Sequence, residues 1–174
     1  LWYSLALEGF HLMADLLGEK DDSRWACQVN ERLKHSFHTK YWNGNFYLSP
    51  HYKGKPDDRA QALAVIAGIL PESEYPVIRP FFKQQYHASP YMEKYVIEGL
   101  FRMGENYYGL ERMKRRFAEM VNDSEHTTLY EGWGIGPNGF PGGTTNHAWS
   151  GGGLTILSQY VCGITPTEAG YKAY

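Results

Sequence analysis

Residues 126–153, HTTLYEGWGIGPNGFPGGTTNHAWSGGG, bring a carboxylate (Glu131), an imidazole (His147) and two indoles (Trp133, Trp149) to a dense run of glycines. A carboxylate takes a proton from water and a neutral imidazole holds a hydroxyl. An indole face covers the apolar side of a ligand. Glycine lets backbone approach a ligand closely or leaves room for one. Together these types make a pocket suited to a sugar. The plainer alternative is a surface loop whose tryptophans cover the core, with Glu131 as a capping or salt-bridged glutamate and His147 closing a helix start.

Other chemistry-bearing residues fit simpler roles. Asp57 and Asp58 stand where a turn and a helix cap are needed. Tyr91, Glu93 and Glu98 lie on a helix that could face a cavity, but the two glutamates are expected to be solvated. His35 and His38 read as surface residues of an outer helix. Cys27 and Cys162 sit inside apolar helical patterns and are expected to be small buried hydrophobes, with a disulfide as the alternative. No HExxH or CxxC spacing, Gly-x-Ser-x-Gly elbow or phosphate loop occurs, so neither a metal nor a cofactor is expected.

The bulk composition narrows the partners. Seventeen Lys and Arg against nineteen Asp and Glu leave the 174-residue chain near neutrality, which argues against nucleic acid or an anionic membrane as partner. No run approaches the roughly 18 apolar residues of a membrane span. Aromatic residues make up 16% of the chain, fourteen of them tyrosines, which suits either a flat or carbohydrate ligand or a large helical core with hydroxyls at its rim.

The elements that must hold these residues are helical. Leu1, Leu5, Leu12 and Leu16, widened by Trp2, Phe10, Met13 and Leu17, predict a first helix ending near Gly18. Asp21 or Asp22 is expected to cap a second, with Trp25, Val29, Leu33 and Phe37 on one face. Asn43-Gly44 signals a turn and Phe46–Leu48 a short extended piece. AQALAVIAGIL after Asp58 predicts a helix buried on most sides, stopped by Pro71. Pro76 opens a helix bearing Val77, Phe81, Phe82 and Tyr86. Ser89-Pro90 starts another over residues 91–103, and Gly104 separates it from a helix over 106–121. The ERMKRR run in that last helix reads as a solvated outer face. Asn146 is expected to cap a final apolar helix ended by Gly163 and Pro166.

These helices form pairs, roughly 1–39, 57–88 and 90–121, with a seventh after the glycine loop. Alternation of buried and amphipathic helices, with long residue-rich connections at one end, points to an all-α toroid rather than a simple bundle. The start at LWYSLAL, without Met and already in helical period, suggests that upstream sequence is missing.

At TTLYEGW, NHAWSGGG and GITPTEAGY the chain resembles the bacterial α-L-rhamnosidases and their relatives among the six-hairpin glycosidases. RAQALA at 59–64 and SPYMEKYVIEGLFRMG at 89–104 fit the same family, so the likeness spans about two thirds of the chain, from Asp57 to Tyr174. The resemblance implies an (α/α)6 toroid of helical hairpins, incomplete here at about seven helices. Residues 1–174 would then be the C-terminal part of the catalytic domain, its open edge covered by the missing N-terminal part or by another chain. It implies inverting hydrolysis of terminal α-L-rhamnose from a rhamnose-containing glycan or glycoside, with Glu131 as general base. His147 would line the sugar subsite, with Trp133, Trp149 and Tyr130 as neighbours. The family's W-E-x-W form is Y-E-G-W here, which places Tyr130 before the glutamate, and the family's general acid falls upstream of Leu1. Two further readings stay open: a non-catalytic helical carbohydrate-binding or scaffold module, and a six-hairpin glycosidase acting on another sugar.

Overall fold

A computed structural model describes residues 1–135, 139 and 143–174, apart from the side chain of residue 169. The centre of the expected glycine loop, residues 136–138 and 140–142, lies outside the described residues. The fold is all-α. Seven α-helices occur among the described residues, and the only β-type pairing there is a single antiparallel bridge between Trp42 and Tyr47. No helix among them is long and apolar enough to cross a membrane. The chain divides into two compact units, Leu1–Tyr86 and His87–Tyr174.

The first unit opens with α1 (Trp2–Leu17) and α2 (Lys20–Tyr41). Gly18, at φ 78°, turns the chain between them, and the amide of Glu19 closes the end of α1 on the carbonyl of Ala14 at 2.9 Å. Asp21 and Asp22 do not cap α2. Glu19 holds the cap position, and the two aspartates occupy the first turn, where the positive end of the helix dipole favours them.

The expected leucine stripe of α1 is not its buried face. Leu12, Leu16 and Leu17 are exposed, and so is Trp25 on α2. The residues buried in α1 and α2 are, Leu7 apart, small or polar: Ser4, Ala14, Ser23, Ala26 and Asn30. Their size lets the two backbones approach, and the Ser4 hydroxyl donates across the seam to Asn30 Oδ1 at 2.6 Å. Periodicity located the helix but not the side it buries. Cys27 and Cys162 are likewise exposed free thiols rather than buried hydrophobes.

Beyond α2 the Asn43-Gly44 turn forms as its residues dictate. Gly44 adopts φ 93°, and Asn43 Oδ1 accepts from the amides of Asn45 and Phe46, both at 3.0 Å. Gln61, wholly buried, completes the pairing that the turn leaves open. Its Oε1 accepts from the Tyr47 amide at 2.7 Å, and its Nε2 donates to the Tyr47 carbonyl at 2.9 Å. His38 is only half-exposed, because its Nδ1 meets the Tyr47 hydroxyl at 2.7 Å.

Helix α3 (Asp58–Ile66) is capped by Asp57, whose carboxylate accepts from the Arg59 amide at 2.9 Å. Residues 61–66 are buried on all sides, as expected. The helix ends at Gly68, φ 60°, rather than at Pro71. Helix α4 (Tyr75–Phe82) carries Pro76 in its first turn and stops soon after Pro80, whose ring removes a ladder hydrogen bond. It is therefore shorter than the expected span to residue 88, and Val77 faces outward.

In the second unit Ser89 accepts from the Met92 amide at 3.4 Å and Pro90 occupies the first turn of α5 (Pro90–Arg102). Gly104, at φ 79°, leads into α6 (Asn106–Asn122). The two helices and the C-terminal segment enclose a core of Ile97, Phe101, Phe117, Met120, Tyr130 and Ile156. The last element is not one helix. A 3₁₀ turn (Ala148–Gly151) runs into the five-residue α7 (Gly152–Ile156) and then a π-type turn (Leu157–Val161). Its cap position is held by His147, not Asn146.

Candidate functional site

Two backbone strips bring the chemistry together. The amide of His147 donates to the Leu129 carbonyl at 2.8 Å, and the amide of Glu131 donates to the Thr144 carbonyl at 2.9 Å. Residues 129–131 and 144–147 are thereby fixed side by side, although sixteen positions separate Glu131 from His147 in sequence.

Thr144, absent from the sequence expectations, joins the two side chains. Its amide donates to Glu131 Oε2 at 3.1 Å, its hydroxyl lies 3.5 Å from the same oxygen, and that hydroxyl is 2.8 Å from His147 Nδ1. Glu131 Oε2 and His147 Nδ1 are 3.7 Å apart. Both side chains are about one quarter exposed, at 25% and 28%, so solvent or a ligand reaches them. Among the described residues Glu131 Oε1 and His147 Nε2 make no hydrogen bond. One oxygen of the acid is thus anchored and the other is free to meet a water, while the outer ring nitrogen is free to meet a hydroxyl.

Trp149 stands beside this pair. Its ring centroid is 4.3 Å from that of His147 and 5.0 Å from that of Tyr91, and half of its surface is exposed. Three rings, from α5 and the 147–149 segment, therefore form one partly exposed aromatic face that meets Glu131 through His147.

Tyr130 and Trp133 turn the other way, into the core. Tyr130 is buried; its hydroxyl donates to the Asp123 carboxylate and its carbonyl accepts from Ser150 Oγ at 2.7 Å. The Tyr130 hydroxyl and the amides of Glu125 and His126 hold the Asp123 carboxyl well below the usual carboxylate range. The same contact pushes the Tyr130 phenol up to about 12. Trp133 packs edge-on against Phe117, carries the Arg116 guanidinium 4.0 Å above its ring, and donates from Nε1 to the Ala88 carbonyl at 2.6 Å.

Two acidic residues expected in solvent are buried instead. Glu93 is wholly inaccessible and forms a two-pronged ion pair with Arg112, at 2.5 and 3.1 Å. Glu98 is nearly so, held by Lys94 at 3.2 Å, Arg102 at 3.0 Å and the Tyr160 hydroxyl at 3.0 Å. Accordingly the ERMKRR run is not wholly a solvated face: Arg112 and Arg116, one turn apart, point inward. That spacing of four was the available signal, masked by the charged neighbours Lys114 and Arg115.

Two cavities among the described residues lie away from this cluster. An apolar groove of about 450 Å³, lined by Met113, Phe117, Val121, Leu129, Leu154 and Leu157 among others, runs along α6 without including Glu131 or His147. A second of about 560 Å³ in the first unit is lined by Leu33, Phe37, Tyr41, Tyr47 and Leu48. Both linings are chiefly apolar, with Lys114, Asn122 and Ser150 as the polar side chains of the first and Ser36, Lys40 and Ser49 among those of the second, whereas an acid, a hydroxyl and an imidazole converge in the open cluster. No group of three or more His, Cys, Asp or Glu suited to a metal occurs among the described residues. No protein-family model matches the chain, and no curated protein matches it significantly.

Proposed function

We propose that this chain carries the water-activating half of an inverting glycoside hydrolase acting on terminal α-L-rhamnose, in the manner of the six-hairpin glycosidases it resembles. The observation that supports this is the Glu131–Thr144–His147 cluster beside the exposed Trp149 face. Inversion needs a carboxylate base on one side of the sugar and an acid about 6.5–9.5 Å away on the other. Glu131 Oε1 accepts a proton from water as the water oxygen attacks the anomeric carbon. His147 Nε2 bonds a ring hydroxyl, and Trp149 covers the apolar side of the sugar with its methyl group. On this reading the acid that protonates the leaving oxygen lies N-terminal to Leu1, and the helix pairs belong to an (α/α)6 toroid.

Two other readings share the same cluster: a non-catalytic carbohydrate-binding module, and a six-hairpin glycosidase for another sugar. Calorimetric titration with L-rhamnose, D-mannose and D-glucose separates them. Saturable binding selective for L-rhamnose and weakened about fivefold in Trp149→Ala is the expected result. Selectivity for another sugar moves the assignment to that sugar. No binding of any of the three, with the fold intact by circular dichroism, would falsify the carbohydrate reading. A module that only binds has no need of the Glu131 charge, so undiminished hydrolysis in Glu131→Gln removes the catalytic half of the proposal.

A further inference from the structure

Glu131 is held from both sides in sequence. On its N-terminal side Tyr130 is buried and tied to Asp123 and Ser150. On its C-terminal side, two residues on, the Trp133 indole is fixed by groups that the chemistry proposed above does not use.

Those groups form a chain of contacts leading inward. The Ala88 carbonyl accepts from Trp133 Nε1 at 2.6 Å and from Arg116 Nη2 at 2.7 Å. Arg116 also lies over the indole, 4.0 Å from its centroid, and its Nε is 3.5 Å from Glu93 Oε2. Glu93 in turn is gripped by Arg112, both with side chains at 0% exposure. One buried carboxylate on α5 thus meets two arginines of α6. The outer arginine reaches past it to the tryptophan and to the backbone just before α5.

A buried ion pair of this kind costs desolvation and is seldom the most stable solution for a core. What it supplies is direction, because a guanidinium fork and a stacked ring admit few geometries. We infer that Arg116, oriented by the buried Glu93, is a positioning residue: it clamps Trp133 and thereby sets where the Glu131 carboxylate stands against Thr144 and His147. The inference rests on the functional reading only for the use made of Glu131; the clamp itself is a claim about geometry.

Amide hydrogen exchange on the chain tests it, with Arg116→Met and Trp133→Phe as variants that leave the Glu93–Arg112 pair in place. The Thr144 amide reports the position of the Glu131 carboxylate, and the amides of Glu131 and His147 report the paired strips. Exchange at these three amides is expected to rise tenfold or more in both variants. Ile97 and Phe117, in the middles of α5 and α6, should keep wild-type rates, and Arg116→Lys, which retains charge but not the flat fork, should fall between. Unchanged exchange at Thr144, or a rise shared equally by Ile97 and Phe117, overturns the inference in favour of a purely structural ion pair. L-rhamnose affinity measured on the same samples separates the two claims. A wild-type chain that binds no sugar counts against the functional reading alone, while the exchange pattern still decides for or against the clamp.

Discussion

Thr144 donates its amide to Glu131 Oε2 at 3.1 Å and places its hydroxyl 2.8 Å from His147 Nδ1, so one small residue sets both the acid and the imidazole. Replacing it with valine keeps the shape and the amide bond but removes both hydroxyl contacts. The His147 ring then loses its anchor and Nε2 its fixed aim. In the proposed hydrolase Thr144→Val lowers kcat by about 10- to 100-fold, less than the roughly 10²–10⁴ usually attached to a general base itself. Steady-state kinetics on an aryl α-L-rhamnoside measures this. A kcat within about twofold of wild type shows that Thr144 orients nothing.

Trp149 is half exposed, and its ring contacts are with Tyr91 and His147. Trp149→Ala therefore costs little stability, within about 0.5 kcal/mol, the usual range for a surface substitution. Sugar affinity falls by about 1 kcal/mol, the scale of a single aromatic contact. Chemical denaturation paired with calorimetry reads both. A large stability loss with unaltered affinity assigns the ring to packing.

The Tyr130–Asp123 contact makes stability depend on pH at both extremes. The Tyr130 phenol is raised from 10.0 to about 12 in the folded protein, so its contribution is fully present below pH 10 and is lost as the pH climbs through 12. The Asp123 carboxyl is lowered, so its contribution is full above its ordinary value near 3.8 and is lost as the pH falls below that. Tyr130→Phe removes the shared hydrogen bond. The stability gap between wild type and variant is accordingly widest between about pH 5 and pH 9 and narrows on either side. Urea unfolding across the pH range checks the shape; a gap independent of pH contradicts it.

Gly152 explains one glycine of the SGGG run without reference to a ligand. A Cβ at that position would lie 2.6 Å from Lys94 Cβ and 2.7 Å from Lys94 Cγ, atoms too near the α5 backbone to swing aside. Gly152→Ala pushes α7 off α5 and costs about 1–3 kcal/mol, as overpacking commonly does. Gly151, where a Cβ would meet nothing within 4 Å, is the control. Equal stabilities of the two alanine variants refute the close approach.

Much of the local structure was legible because particular residues can do little else. Asn43-Gly44 turns, Asp57 and Ser89 cap, and Gly18 and Gly104 end helices through backbone angles that other residues resist. Glu131, His147 and Trp149 stand out as types, and the fold brings His147 against both of the others. Their partner Thr144 was not legible, because a threonine in TTNH gives no pattern of its own. The buried Glu93 and Arg112 were hidden for a different reason. Charge predicts exposure until its counter-charge is found on another helix, and nineteen positions separate these two. The exposed side of α1 shows the same limit for apolar residues: period finds the helix, but only the neighbouring helix decides which stripe is covered.

What Glu131 does to a nucleophile decides between a hydrolase and a sugar-holding loop. The direct measurement is turnover of an aryl α-L-rhamnoside by full-length Glu131→Ala protein, with and without azide, resolving the product by NMR. Loss of hydrolysis, with release of the aryl group restored by azide and a rhamnosyl azide of inverted anomeric configuration formed in place of free rhamnose, is the predicted result, since the small anion needs no base and enters where water did. Near-normal hydrolysis without azide would contradict it outright.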